Sequence, residues 1–133
     1  MTYLLDTNVC IDYLRGKAVD VRKRLESVLP DDIVLCSIVK AELFHGAMKS
    51  SNPSISLANQ QPFLSQFVSL PFDDSAAGQY GILRTTLEKQ GLLIGPNDLL
   101  IASIAIANNV TLVTHNTGEF SRVPGLQMED WQV

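Results

Sequence analysis

The sequence predicts an α/β fold, a three-layer α/β/α sandwich built on a short, mostly parallel sheet. Three observations point there. The apolar runs Tyr3-Leu4-Leu5, Ile33-Val34-Leu35-Cys36 and Val110-Thr111-Leu112-Val113-Thr114 lack the in-out alternation of a half-wetted sheet, as expected of strands covered on both faces. Longer stretches with helical spacing separate them, and strands alternating with helices imply right-handed βαβ units. Finally, the first and the clearest of these strands end in polar residues, Asp6-Thr7-Asn8 and His115-Asn116-Thr117, at the sheet edge where open α/β folds keep their sites.

Taken in order, the first strand delivers Asp6 to that edge. Leu4 and Leu5 demand burial, whereas a buried carboxylate needs a proton, a hydrogen bond or a cation. The plain alternative is that Asp6 caps the helix that follows. That helix spans Asn8 to Leu14 and closes on Arg15-Gly16. A second helix runs from about Val19 to Leu29, with Pro30-Asp31-Asp32 ending it. Ile33 to Cys36 is the next strand, and Ser37 stands where the cap of a helix over Ile38 to Met48 belongs. In that helix Ile38, Ala41, Glu42 and His45 share one face, which sets Glu42 beside an inward stripe or on its rim.

Lys49 to Pro53 is a loop, Leu57 to Val68 a helix disturbed by Pro62, and Ser69-Leu70-Pro71-Phe72 an edge strand, because proline is excluded from sheet interiors. Asp73-Asp74-Ser75 caps a helix through Lys89 that Gly91 stops. Gly95-Pro96-Asn97-Asp98 opens a helix whose stretch Leu99 to Ala107 is apolar all round except for Ser103, and such a helix lies inside its layer. Asp98 in its first turn sits near the positive end of the helix dipole, an ordinary place for a carboxylate. The strand Val110 to Thr114 follows, and Leu126 to Met128 gives a last short one.

At 133 residues and 46% hydrophobic, the chain makes a single domain, 1–133, burying about two-thirds of its unfolded surface. Asp6 interrupts any secretory apolar segment, and no run approaches the roughly 18 apolar residues of a membrane span. Cys10 and Cys36 lie far apart without metal-finger spacing, so both are expected reduced, buried and inert in a cytoplasmic protein. A net charge of −4 argues at first sight against a nucleic-acid partner.

Placing the acids changes that balance. In the expected architecture Asp6, Asp98, Asn116 and Glu119 open on one edge, and Glu42 reaches them from the helix after the second strand. Carboxylates gathered so closely repel one another unless they take up protons or a cation. An all-oxygen set suits Mg²⁺ or Mn²⁺ rather than zinc, and such an ion is equipped to hydrolyse a phosphodiester. Setting these four acids aside leaves a chain without net charge. Arg15, Lys17, Lys40, Arg84 and Lys89 are then available to an RNA backbone. His45 and His115 carry no local nucleophile signature.

Leu4-Leu5-Asp6-Thr7-Asn8, Ala41-Glu42-Leu43, Gly95-Pro96-Asn97-Asp98 with Ile101-Ala102, and Thr114-His115-Asn116 with Glu119-Phe120 resemble the four signature blocks of PIN-domain ribonucleases. They are most similar to those of VapC toxins from VapBC toxin-antitoxin pairs, over nearly the whole chain through Trp131. The resemblance implies an endoribonuclease that uses one or two Mg²⁺ (or Mn²⁺) ions to cut tRNA or rRNA at a particular loop, leaving a 5′-phosphate and a 3′-hydroxyl. It implies that Asp6, Glu42, Asp98 and Glu119 bind metal and that Thr114 fills the family's hydroxyl position. Asn116 stands where many members have Asp, which weakens a second metal site because an amide binds Mg²⁺ less well than a carboxylate. A VapB antitoxin and a toxin homodimer are implied as well. Asn116 also supports a second reading, a catalytically weak or inactive module that keeps the fold for protein binding. A phosphatase with a nucleophilic Asp6 would need a second Asp two residues on, where Asn8 stands.

Overall fold

A computed structural model describes residues 1–132. The sheet has five strands, β1 (Tyr3–Leu5), β2 (Ile33–Cys36), β3 (Val68–Leu70), β4 (Thr111–Val113) and β5 (Met128–Glu129), in the order β3-β2-β1-β4-β5. Every pairing is parallel, with Leu4 opposite Val34 on one side and Leu112 on the other. The three strands at the centre are predominantly apolar because both faces are covered: Leu4, Leu5, Leu35, Leu112 and Val113 have no exposed surface.

Seven helices cover the sheet: α1 (Thr7–Leu14), α2 (Val19–Ser27), α3 (Ser37–Lys49), α4 (Pro53–Leu64), α5 (Asp74–Gln90), α6 (Pro96–Ala107) and α7 (Thr117–Phe120). Right-handed crossovers β1-β2-β3 put α1 to α4 on one face; the return from β3 across to β4 puts α5 and α6 on the other. The direction in which strands are added to the sheet therefore reverses between β1 and β4, the switch point at which such sheets leave a crevice. Gly91 at φ 66° ends α5, and the Leu92 N–H returns to the Leu87 carbonyl at 2.9 Å. α6 is buried from Leu99 through Ala105 apart from half-buried Leu100, and the Ser103 hydroxyl is satisfied by the Leu99 carbonyl at 2.7 Å.

Several expectations need correction. The buried stripe of α3 is Val39, Leu43 and Ala47, while Ala41 and His45 are exposed and Ile38 and Glu42 half-buried. Ser37 is not the cap: β2 runs straight into α3 with Cys36 in the cap position, and the Ser37 hydroxyl donates to the Leu70 carbonyl at 3.2 Å. α2 stops at Ser27, and Pro30–Asp32 forms a short 3₁₀ turn of its own. α4 begins at Pro53 behind an Asn52 cap and ends at Leu64, so Pro62 falls in its last turn. β3 lies at the edge as expected but over Val68–Leu70; β5 is Met128–Glu129, and the polar stretch after β4 contains α7. Among the described residues no helix is long and apolar enough to cross a membrane.

Candidate active site

The crevice between β1 and β4 is floored by Asp6, which is only 5% exposed. Its backbone N–H extends the ladder to the Val113 carbonyl at 2.9 Å, and its side chain does cap α1, accepting from the Thr7 N–H at 2.8 Å. The other carboxylate oxygen accepts from the Thr114 hydroxyl at 2.8 Å. That hydroxyl itself accepts from the Asn116 N–H at 3.0 Å, which leaves its hydrogen for Asp6. Burial raises the Asp6 pKa above the usual carboxylate value; these two hydrogen bonds oppose it, and the charges of Glu42 and Glu119 reinforce it.

The remaining acids stand around this floor. Glu42 projects from α3, its Oε1 taking the Thr7 hydroxyl at 2.6 Å and its Oε2 the Asn97 amide at 3.5 Å. Glu119 comes from α7, with Oε1 on the Gly95 N–H at 2.6 Å and Oε2 on the Asn116 amide at 2.7 Å. The Gly95 N–H above all, then the Asn116 amide, holds the Glu119 carboxyl below its ordinary range. Asp98, in the first turn of α6, has no such donor. Burial, then repulsion from Asp6 and Glu119, pushes it up to about 7.

The six residues singled out in the sequence are thus neighbours, while the donors Thr7, Gly95 and Asn97 carried no assigned role there. Of the basic residues, Arg15 reaches the cleft beside Glu42. Arg84 lies on α5 paired with Glu88, and Lys17 lines a separate cleft with Asp12 and Asp20. His115 turns away to Asp130 at 2.9 Å. Cys10 and Cys36 are buried free thiols, pushed up by burial, Cys36 to about 11.

The donor set fits a hard divalent cation. It is all oxygen, and the mutual repulsion that pushes the Asp98 carboxyl up is what a cation would relieve. Gly95 keeps the room open, since a Cβ there would stand 3.4 Å from Glu119 Oε1 and 3.6 Å from Asp98 Oδ2. Among the described residues no three acidic, His or Cys side chains close into a ready cage.

Comparison with known proteins places the chain in a family. Residues 3–126 match the PIN domain family. The chain is 43% identical over 132 residues to Ribonuclease VapC2 of Rickettsia felis and 38% identical over 131 residues to the tRNA(fMet)-specific endonuclease VapC of Shigella flexneri, with 98% of each chain covered in both cases. The crystal structure of VapBC2 from Rickettsia felis bound to a promoter DNA fragment contains a chain that superposes with a TM-score of 0.92 at 42% identity, covering 98% of this chain and 99% of that one.

Proposed function

The chain belongs to the PIN-domain family, among its VapC ribonucleases, and from that membership and the acidic crevice we propose that Asp6, Glu42, Asp98 and Glu119 serve it in metal-dependent cleavage of RNA. It is an endoribonuclease, the toxin of a type II toxin-antitoxin system. Its domain is the whole chain, 1–133, its cation Mg²⁺ or Mn²⁺, its place the cytoplasm, and its substrate a tRNA. The name of the Shigella flexneri relative supports the last point. A VapB antitoxin is its partner, as in the solved VapBC complex. A homodimer is supported by apolar side chains left exposed on α3 and α4, namely Phe44, Met48 and Ile55.

The observation that carries this reading is the convergence of four carboxylates at the switch point, three of them, Asp6, Glu42 and Glu119, gripped by hydrogen-bond donors. Asp6 and Asp98 offer the innermost oxygens, with Glu42 and Glu119 flanking them. A divalent ion held there supplies Lewis acidity toward a phosphoryl oxygen and acidifies water at neutral pH. Thr7 and Thr114 fix the direction of the Asp6 and Glu42 oxygens, and the Gly95 N–H and the Asn116 amide fix those of Glu119. Asp98 would hold the ion together with Asp6, its carboxylate form being favoured by the cation's charge. No side chain acts as nucleophile: the Thr114 hydroxyl is wholly buried and committed to Asp6, and both thiols are buried.

The test is incubation of purified protein with total RNA. Discrete cuts that disappear with EDTA and with either Asp6→Asn or Asp98→Asn, while circular dichroism reports a folded chain, are the expected result. Metal-independent cutting, or cutting retained by both variants, would overturn the assignment; no cutting by wild type would favour the binding-module reading.

A further inference from the structure

Thr114, His115 and Asn116 link β4 to α7, and each side chain in this short run takes a different acid. The Thr114 hydroxyl donates to Asp6 at 2.8 Å and the Asn116 amide to Glu119 at 2.7 Å, both in the crevice. Between them His115 turns outward, its Nδ1 lying 2.9 Å from Asp130 Oδ2 just beyond β5. The backbone is tied to the same tail, the Thr114 N–H donating to the Glu129 carbonyl at 3.0 Å. Within the run, the Asn116 N–H donates to the Thr114 hydroxyl at 3.0 Å.

Asp130 is a prepared partner for that imidazole. Its side chain is 14% exposed against 60% for His115, and its Oδ1 accepts the Gln132 N–H at 2.9 Å, a local turn that fixes the carboxylate independently of His115. A carboxylate only accepts, so the ring donates its Nδ1 hydrogen whether it is neutral or charged. As a surface pair the two contribute little to stability; their consequence lies in orientation. A link this short transmits direction, because turning His115 turns the peptide planes on either side of it. The Thr114 hydroxyl and the Asn116 amide move with those planes.

We propose that His115 and Asp130 are positioning residues of the active site: their hydrogen bond braces the link from outside the crevice, so that Thr114 stays aimed at Asp6 and Asn116 at Glu119. The inference rests on the metal-dependent reading of the crevice and adds a support that lies outside it. Outer groups of this kind act on a metal through the direction of its ligands. An exposed imidazole would also be open to contact with RNA, but its Nδ1 is committed to an acid whose own place is fixed, which favours the supporting role.

The test reads Mn²⁺ binding directly, from the electron paramagnetic resonance of the free ion, apart from cleavage. His115→Leu keeps bulk without a donor, whereas His115→Asn sets an amide N–H near the position of Nδ1. His115→Leu is expected to weaken Mn²⁺ binding by about tenfold, the low end for groups that orient metal ligands, with the melting temperature in EDTA little changed. Hydrogen exchange of the Asn116 backbone amide in the metal-free protein should quicken several-fold, because its bond to the Thr114 hydroxyl opens more often. His115→Asn should keep both close to wild type. In an Asp130→Ala background, itself weakened, His115→Leu should add nothing further. Unchanged Mn²⁺ affinity in His115→Leu would overturn the proposal. So would an equal loss in His115→Asn, or a rise in KM for RNA with Mn²⁺ affinity intact, which would assign the imidazole to the substrate. Failure of wild type to bind Mn²⁺ would instead bring down the reading on which the proposal stands, and the Asn116 exchange alone would then decide whether His115 braces the link.

Discussion

Asp98→Asn should make the metal-free protein more stable while abolishing its activity, because the substitution removes the one carboxylate that its neighbours repel without compensation. In the folded chain Asp98 titrates at about 7, against 3.8 for an unperturbed aspartate. The native state therefore holds a proton that the unfolded chain releases from about pH 4 upward, and stability must fall as pH rises from about 4 through about 7. A shift of about three units would be worth about 4 kcal/mol for a fully buried group. Asp98 is only half-buried, and solvent screening reduces this to about 1–2 kcal/mol. For a chain of 133 residues that is about 3–8 °C in melting temperature. Thermal melts in EDTA should show Asp98→Asn above wild type by this margin at pH 8, with the gap closing at pH 5, where wild-type Asp98 is already neutral. Mg²⁺ should reverse the order at pH 8, since a ligand at one hundred times its Kd adds about 2.7 kcal/mol to the protein that binds it. Identical melting of the two proteins at pH 8 in EDTA would refute the electrostatic account of the crevice.

Other perturbations separate the remaining parts. Thr7→Val keeps the shape but removes the hydroxyl that holds Glu42 Oε1 at 2.6 Å; metal affinity, read from the Mg²⁺ dependence of RNA cleavage, should fall about 10–100-fold. Asn116→Asp replaces the donor to Glu119 Oε2 with a further negative charge; the metal-free protein should melt lower than wild type at pH 8 and gain more from Mg²⁺. Trp131→Ala removes a side chain that is 3% exposed, stands edge-on to Tyr3 at 5.2 Å and lies 5.0 Å under the Arg24 guanidinium. It should cost about 3–5 kcal/mol by urea unfolding and leave the metal-induced rise in melting temperature intact.

The order of elements was legible in the sequence because the central strands must be apolar on both faces and the helices between them are long enough to show their period. Where reading failed, the local signal was double. α3 carries apolar residues in two registers, Ile38-Ala41-Phe44-Met48 and Val39-Leu43-Ala47, and only packing in the folded chain chooses the second. Pro62 drew the α4 boundary late because proline is costly inside a helix; in the last turn it disturbs little, and the true signal was Asn52-Pro53, a cap followed by a first-position proline. α7 spans four residues, too few for any period.

The acids themselves could be found because each sits at an element boundary or beside a buried stripe, places where a carboxylate needs a reason. Their donors could not. Thr7 meets Glu42 across 35 residues, Gly95 meets Glu119 across 24, and Asn97 meets Glu42 across 55, and nothing local in the sequence announces such pairings. Asn116 shows what that omission hides. Read as a sequence position, it is a missing ligand; in the fold, its amide and the Gly95 N–H between them occupy both oxygens of Glu119. A fifth carboxylate at this point would add repulsion where Asp98 is already forced to keep a proton. The amide instead donates to Glu119 and, after the Gly95 N–H, helps hold its carboxyl below the ordinary range.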